Sequence, residues 1–401
     1  MSALTDSITV DRLEADPYPI YERLRAEEPV AWVPAVGAWL VTRWSDVRHV
    51  LTSPESFTTT NDVSPLSTYC GAENVLNQEG DRHAAIRASV DDRFRRETAP
   101  AVAAHARSLA ARRLQDLAHH DHADLMAEYF EPVSVATSMW LLGLDDVDGI
   151  DTAGLTRWSS NLTAALYNPT KDTAAHQTGA AVSAEMERTL TPYLTRLLTR
   201  PDDSPLSALV HAGLPGTDAS GNATQALATL RMMTSAVREP GWLAGNTLHA
   251  LLTHPEQMDA LRADLGLLGA AVHEGIRWAA PVGTVGRLTT RPLVLGGRDL
   301  PAGAPVAPGI ASANRDESVF PDADRFDLRR ARTTTPLSLG FGRHECLAAS
   351  VVPAIVAGAL HALLERFPHL SLAQESQPCG WKFRKFDALP VGWRDRSSAR
   401  R

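Results

Sequence analysis

The residues best suited to chemistry are gathered in Leu339-Gly340-Phe341-Gly342-Arg343-His344-Glu345-Cys346-Leu347-Ala348, a glycine-punctuated loop that delivers one cysteine to the start of an apolar helix. A thiolate just ahead of a helix is stabilised by the positive end of the helix dipole and by unpaired backbone N–H groups, so it is suited to ligate a metal. Gly340 and Gly342 let the backbone turn without side-chain obstruction, so that N–H groups can approach the sulfur. Cys346 is therefore the candidate metal ligand, and His344, two residues earlier, can reach a polar group of whatever is bound. Taken alone, the loop also fits a buried apolar cysteine, the commoner fate of a cytosolic thiol.

Two further constellations carry chemistry. Residues 226–253 have the length and period of one long helix, interrupted near the midpoint by Arg238-Glu239-Pro240-Gly241. Proline removes a backbone donor and crowds the preceding turn, and glycine relaxes the helix, so a kink is expected there. A carboxyl group at that break can relay protons if its pKa and water contacts allow it, and otherwise it is simply satisfied by a neighbouring Arg or by backbone. His83 and Arg87 lie four apart, on one face of a helix that Asp81 caps, a spacing able to clamp an anion or merely to sit in water. Glu274 and Arg277, three apart, can form a charge-assisted contact on one helical face.

The elements that must position these groups are mostly helical. Residues 16–25 open a helix, with Pro17 near its start and Ile20 and Leu24 on one face. Residues 30–33 and 38–42 read as two strands joined by Pro34-Ala35-Val36-Gly37, followed by a short helix at 44–51. The Thr-, Asn-, Ser-, Pro- and Gly-rich stretch 58–78 reads as a long loop. Helical spacing then covers 98–118, 121–143, 151–167 and 174–199, with Leu155, Trp158, Leu162, Leu166 and Tyr167 on one stripe. Residues 281–287 are extended, and 293–303 have the look of a β-hairpin with a glycine turn. The fold class is mainly α with small β-sheets (α+β), without internal repeats.

At 401 residues and 44% hydrophobic composition there is ample material for a core, and a single domain over residues 1–401 is expected. A formal charge of −8 argues against a nucleic-acid partner, and the one charge cluster is the Arg-rich C-terminal end. Cysteines at 70, 346 and 379 have no paired spacing, so neither a disulfide framework nor a zinc site is suggested, and a reducing cytoplasm fits. The first residues lack a basic and apolar leader, and no run of about 18 apolar residues argues for a membrane span.

The cysteine loop resembles the haem-binding signature of cytochromes P450, Phe-Gly-x-Gly-x-His-x-Cys-x-Gly, with Leu339 in place of the leading Phe and Ala348 in place of the last Gly. The likeness continues through Glu274-Gly275-Ile276-Arg277, Ala313-Asn314-Arg315-Asp316 and Phe320-Pro321-Asp322-Ala323-Asp324-Arg325-Phe326-Asp327, and so spans essentially the whole chain. It implies the P450 fold of the soluble bacterial kind, with haem b (iron protoporphyrin IX) between a long distal helix and the proximal cysteine-loop helix. Cys346 is then the axial ligand of the iron, and His344, His83, Arg87 and Arg287 bind propionates. Glu274 and Arg277 become a structural pair behind the haem.

In the same resemblance the acid-alcohol pair that usually serves oxygen activation falls on Arg238 and Glu239, which are taken as the catalytic candidates. Val63, Leu66, Tyr69, Val75, Leu162, Val237, Val282, Thr284 and Trp381 are candidates for the substrate pocket. The implied reaction is a dioxygen-dependent monooxygenation, with NAD(P)H-derived electrons from a separate ferredoxin and ferredoxin reductase, whose docking face would include Arg343 and Arg87. Glu-Pro-Gly together with Trp381-Lys382-Phe383-Arg384 resembles a bacterial branch that includes aromatic O-demethylases. An aromatic small molecule is the expected substrate, foremost in oxidative coupling of an indole or a tryptophan-containing cyclic dipeptide. Aromatic O-demethylation or hydroxylation, peroxygenase chemistry and a non-catalytic haem-binding role are the alternatives.

Overall fold

Alternation of apolar and polar residues at helical spacing gives helices at Ala99–Leu117, Thr152–Leu166 and Thr173–Thr199, and strands are few and short. The computed structural model describes residues 2–214 and 218–393, so the terminal arginines Arg394, Arg396, Arg400 and Arg401 lie outside the described residues. The chain divides into two compact units. One comprises Met1–Ser56, Ala99–Ser134 and Glu239–Arg401, the other Phe57–Thr98 and Val135–Arg238.

The first unit holds the main core. The helix Val352–Arg366 is buried along most of its length and packs on Ala99–Leu117 and on Glu239–Thr253. Leu114, Tyr129, Trp242, Leu248, Val356 and Leu360 belong to one cluster of almost fully buried side chains. Tyr129 satisfies its hydroxyl there by donating to Ala359 O at 2.7 Å. Val30–Val33 and Ala38–Val41 form the expected hairpin, with Trp32 opposite Trp39 and their rings edge-on at 6.0 Å. Pro305–Pro308 runs parallel to Ala38–Val41, and Arg287–Thr289 pairs antiparallel with it. The expected glycine hairpin forms between Leu293–Leu295 and Arg298–Leu300.

Glu274 and Arg277 meet as expected, at 2.7 Å and 3% and 1% exposed. Arg330, far from the pair in sequence and without a motif of its own, joins them with its Nε 3.0 Å from Glu274. Arg277 spends its remaining donors on the carbonyls of Asn314, Ala323 and Arg325 at 2.7–2.9 Å. A buried charge is tolerated only when its hydrogen-bonding capacity is met, and these carbonyls meet it.

The second unit is helical, and it differs from the sequence expectation in two places. The stretch 58–78 is not one irregular loop: Pro65–Cys70 is a helix, capped by the Ser64 hydroxyl accepting from Ser67 N at 3.2 Å, with Pro65 at its first position. The helix Gly80–Phe94 carries no side-chain cap. Glu79 precedes it and turns instead to Thr59, accepting from the N–H at 3.3 Å and the hydroxyl at 3.1 Å.

A third difference is at 121–143, where the front is a short strand, His122–Asp124, and a π-turn, Met126–Phe130, before the helix Glu131–Leu142. His122–Asp124 pairs with Pro390–Gly392, a partner far away in sequence that no local periodicity reveals.

Candidate haem-thiolate site

Cys346 sits on a loop closed by its own N–H donating to Leu339 O at 2.7 Å and by Gly340 N donating to Leu337 O at 2.9 Å. Gly340 and Gly342 have φ of +75° and +74°, a region that side-chain-bearing residues rarely enter, which is why glycine stands at both positions. The helix itself begins only at Val352, with Pro353 in its first turn. Residues 347–351 form consecutive turns, with Val352 N reaching Ala348 O at 2.8 Å. The cysteine therefore precedes a run of turns rather than the helix directly, and the dipole falls off within a helix's first turn, so it acts on the sulfur less than expected.

The residues that follow the sulfur are apolar and only half covered: Leu347, Ala348 and Ala349 are half-buried, as are Leu339, Cys346 and His344, while Arg343 and Glu345 are exposed. Among the described residues no group of three or more His, Cys, Asp and Glu side chains is placed to hold a metal ion. The donor set is thus one sulfur, which would fit an iron whose remaining ligands are supplied by a macrocycle. Arg287, half-buried at the start of its strand, has Nη1 donating to Gly286 O at 2.8 Å.

The expected kink in the long helix is a full break. One helix ends at Ser235, residues 236–238 are a turn, and a second helix runs Glu239–Thr253. Pro240 lies in the first turn of the second helix, where a missing N–H costs nothing. A carbonyl freed by the break is taken up by side chains: Thr163 Oγ1 and Ser159 Oγ both donate to Ser235 O, at 3.0 and 3.2 Å. Gly241 serves close approach, because a Cβ there would lie 2.7 Å from Phe130 O.

Glu239 is half-buried, and burial, opposed by the Lys382 ammonium, raises its carboxyl pKa to about 8. Burial pushes Lys382 downwards, while Glu239 pushes it up. A carboxyl group in this state carries a transferable proton at neutral pH.

The other sequence candidates are placed as follows. Val282, Thr284 and Trp381 belong to the first unit with Cys346, His344, Arg287 and Glu239. Val282 is half-buried in a bridge to Phe383, and the Thr284 hydroxyl donates to Pro308 O at 2.9 Å. Trp381 is 7% exposed and donates Nε1 to Tyr21 Oη at 2.8 Å, so its indole is engaged within the fold.

His83, Arg87, Val63, Leu66, Tyr69, Val75, Leu162, Val237 and Arg238 belong to the second unit. His83 and Arg87 share the helix Gly80–Phe94, His83 buried and Arg87 paired with Asp91 at 3.4 Å. Val63 is 91% exposed, Leu66 half-buried, and Val75, Leu162 and Val237 buried. Tyr69 is buried with its hydroxyl hydrogen-bonded to His176 Nδ1. Arg238 is half-buried at the turn.

A cytochrome P450 family profile matches residues 247–379. The P450 monooxygenase PikC of Streptomyces venezuelae is 32% identical over 397 residues, covering 95% of this chain and 92% of its own. The chain belongs to the cytochrome P450 family. The 6-deoxyerythronolide B hydroxylase of Saccharopolyspora erythraea is 28% identical, over 95% of this P450 and 97% of its own length. The crystal structure of P450BioI, bound to an acyl carrier protein carrying hexadec-9Z-enoic acid, superposes with a TM-score of 0.87. It covers 96% of this chain and 100% of that one at 24% identity, a likeness of fold.

The P450 is a monooxygenase, as its relatives are named, and its family binds haem b through a cysteine thiolate. Bacterial P450s draw on dioxygen and on ferredoxin and reductase partners. Among the described residues no helix is long and apolar enough to cross a membrane.

Proposed function

We propose that this P450 tailors a secondary metabolite, with Cys346 ligating the haem iron, His344, Arg287, His83 and Arg87 binding its propionates, and residues 1–401 acting as one domain. The bound haem supplies dioxygen activation at its thiolate-ligated iron. Glu239 supplies the protons from its carboxyl oxygen, in place of the acid-alcohol pair. The observation that carries this reading is a carboxyl at the front of the Glu239–Thr253 helix, half-buried, whose pKa burial raises to about 8. It favours an oxygen-activating enzyme over a non-catalytic haem protein, for which a proton donor has no use.

The substrate is an aromatic small molecule, foremost an indole or tryptophan-containing cyclic dipeptide undergoing oxidative coupling. Support comes from the resemblance of Glu239-Pro240-Gly241 and Trp381-Lys382-Phe383-Arg384 to a branch with aromatic substrates, and from the half-buried Val282 and Phe383 beside each other. The hydroxylase name of a relative keeps hydroxylation as the second reading.

The test is a difference-spectrum screen of the purified holoprotein. Tryptophan-containing cyclic dipeptides are expected to shift the haem spectrum. A shift with methoxyarenes alone would move the reading to O-demethylation, and silence from every aromatic compound would end the aromatic reading.

A further inference from the structure

Residues 379–385 are held by backbone hydrogen bonds along their length. Lys382 O accepts from Gly283 N at 2.9 Å and Arg384 N donates to Pro281 O at 2.7 Å, with Val282 and Phe383 facing in an antiparallel bridge. Cys379 and Lys385 exchange two bonds of 2.9 Å, and Gly380 N reaches Glu14 O at 2.8 Å. A segment tied at so many points presents its side chains in fixed directions.

That segment lies against the Glu239–Thr253 helix. Phe383 stands edge-on to Trp242 at 6.0 Å, and Asn246 Nδ2 donates to Arg384 O at 3.0 Å. Glu239, Trp242 and Asn246 follow one another at the i, i+3, i+7 spacing of a single helix face. The Lys382 ammonium lies 5.7 Å from the Phe383 ring centroid, so it stands beside the ring that packs on Trp242, one turn along the helix from Glu239. Glu239 and Lys382 are both half-buried, and each acts electrostatically on the other.

The neighbouring charged groups are committed elsewhere. Glu131 accepts from Trp242 Nε1 at 2.7 Å, and Arg384 Nη1 points to Ala15 O and Gly380 O at 3.4 Å. Arg238 precedes Glu239 in the chain, and Lys382 acts by charge on the Glu239 carboxyl.

We propose that Lys382 is a positioning residue that acts through Glu239, its ammonium delivered by the clamped 379–385 segment to the front of the helix, where it attracts the carboxylate once that group has given up its proton. Its consequence for turnover rests on the reading of Glu239 as proton donor; the pair itself does not. An opposite charge at this range favours the ionised carboxylate, so Lys382 limits how far burial can raise the Glu239 pKa.

The experiment is an infrared pH titration of the holoprotein, following the protonated-carboxyl stretch assigned to Glu239 by its loss in Glu239→Gln. Wild type is expected to titrate near pH 8. Lys382→Met should raise the midpoint by about one to three pH units, and Lys382→Arg should stay with wild type. Reduced carbon-monoxide spectra of each variant check that the haem site is intact, and Lys382→Gln repeats the measurement should the Met variant not fold.

A midpoint unmoved by Lys382→Met or Lys382→Gln, or raised equally by Lys382→Arg, would overturn the proposal. Unchanged oxygen coupling in Glu239→Gln would end the proton-donor reading, and the moved midpoint would still mark the pair.

Discussion

The proposed chemistry turns on two side chains, Cys346 and Glu239. Burial holds the Glu239 carboxyl in its protonated form, with a pKa near 8, and a group that donates a proton does so only while it carries one. Coupling of oxygen consumption to product should therefore hold below about pH 8 and fall as pH rises through it. Glu239→Gln should lower coupled turnover about a hundredfold and remove that alkaline limb, as measured by product formed per reducing equivalent. Retention of the limb in the Gln variant would assign it to another group. Cys346, His344 and Glu239 stand out as candidates in the sequence because their motifs are local in the chain. Lys382 stood inside a quoted motif, but its role depends on Gly283, Pro281 and the Glu239 helix lying beside it, and such pairings leave no local mark.

Among the elements, the Glu239–Thr253 helix is set by a backbone requirement. Gly241 is where the Glu239–Thr253 helix comes closest to the Phe130 carbonyl, so Gly241→Ala should cost about 1–3 kcal/mol in denaturant unfolding through forced displacement. A cost near zero would mean that the contact relaxes freely. The interruption at 236–238 was legible as a kink from Glu239-Pro240-Gly241, yet its extent was not. Whether a helix bends or parts depends on what donates to the carbonyls it releases, here, on Ser235 O, the hydroxyls of Ser159 and Thr163, which lie on a helix some 70 residues earlier in the chain. The helix Pro65–Cys70 was missed for a related reason: six residues are too few for a periodic signal, and its one sign was Ser64-Pro65, a cap followed by a first-turn proline.

At the scale of the whole molecule, the fold class was readable because helical periodicity covers most of the chain, and the small sheets were readable only where a turn joined their strands. The pairing of His122–Asp124 with Pro390–Gly392 is long-range and was not. Stability in the first unit draws on the Glu274, Arg277 and Arg330 cluster, which ties the helix Leu268–Trp278 to the carbonyls of Asn314, Ala323 and Arg325. Removing the carboxylate strands buried guanidinium charge, so Glu274→Ala should destabilise by about 3–5 kcal/mol in chemical denaturation. A loss below about 1 kcal/mol would mean that the carbonyls alone satisfy Arg277.

The account as a whole depends on sulfur at position 346 holding a haem iron, and the reduced carbon-monoxide spectrum of the purified protein tests this most directly. Wild type should show the absorption of a thiolate-ligated haem, and Cys346→Ser should lose it or fail to retain haem. An identical spectrum in both proteins, or a wild type that takes up no haem when it is supplied, would contradict it.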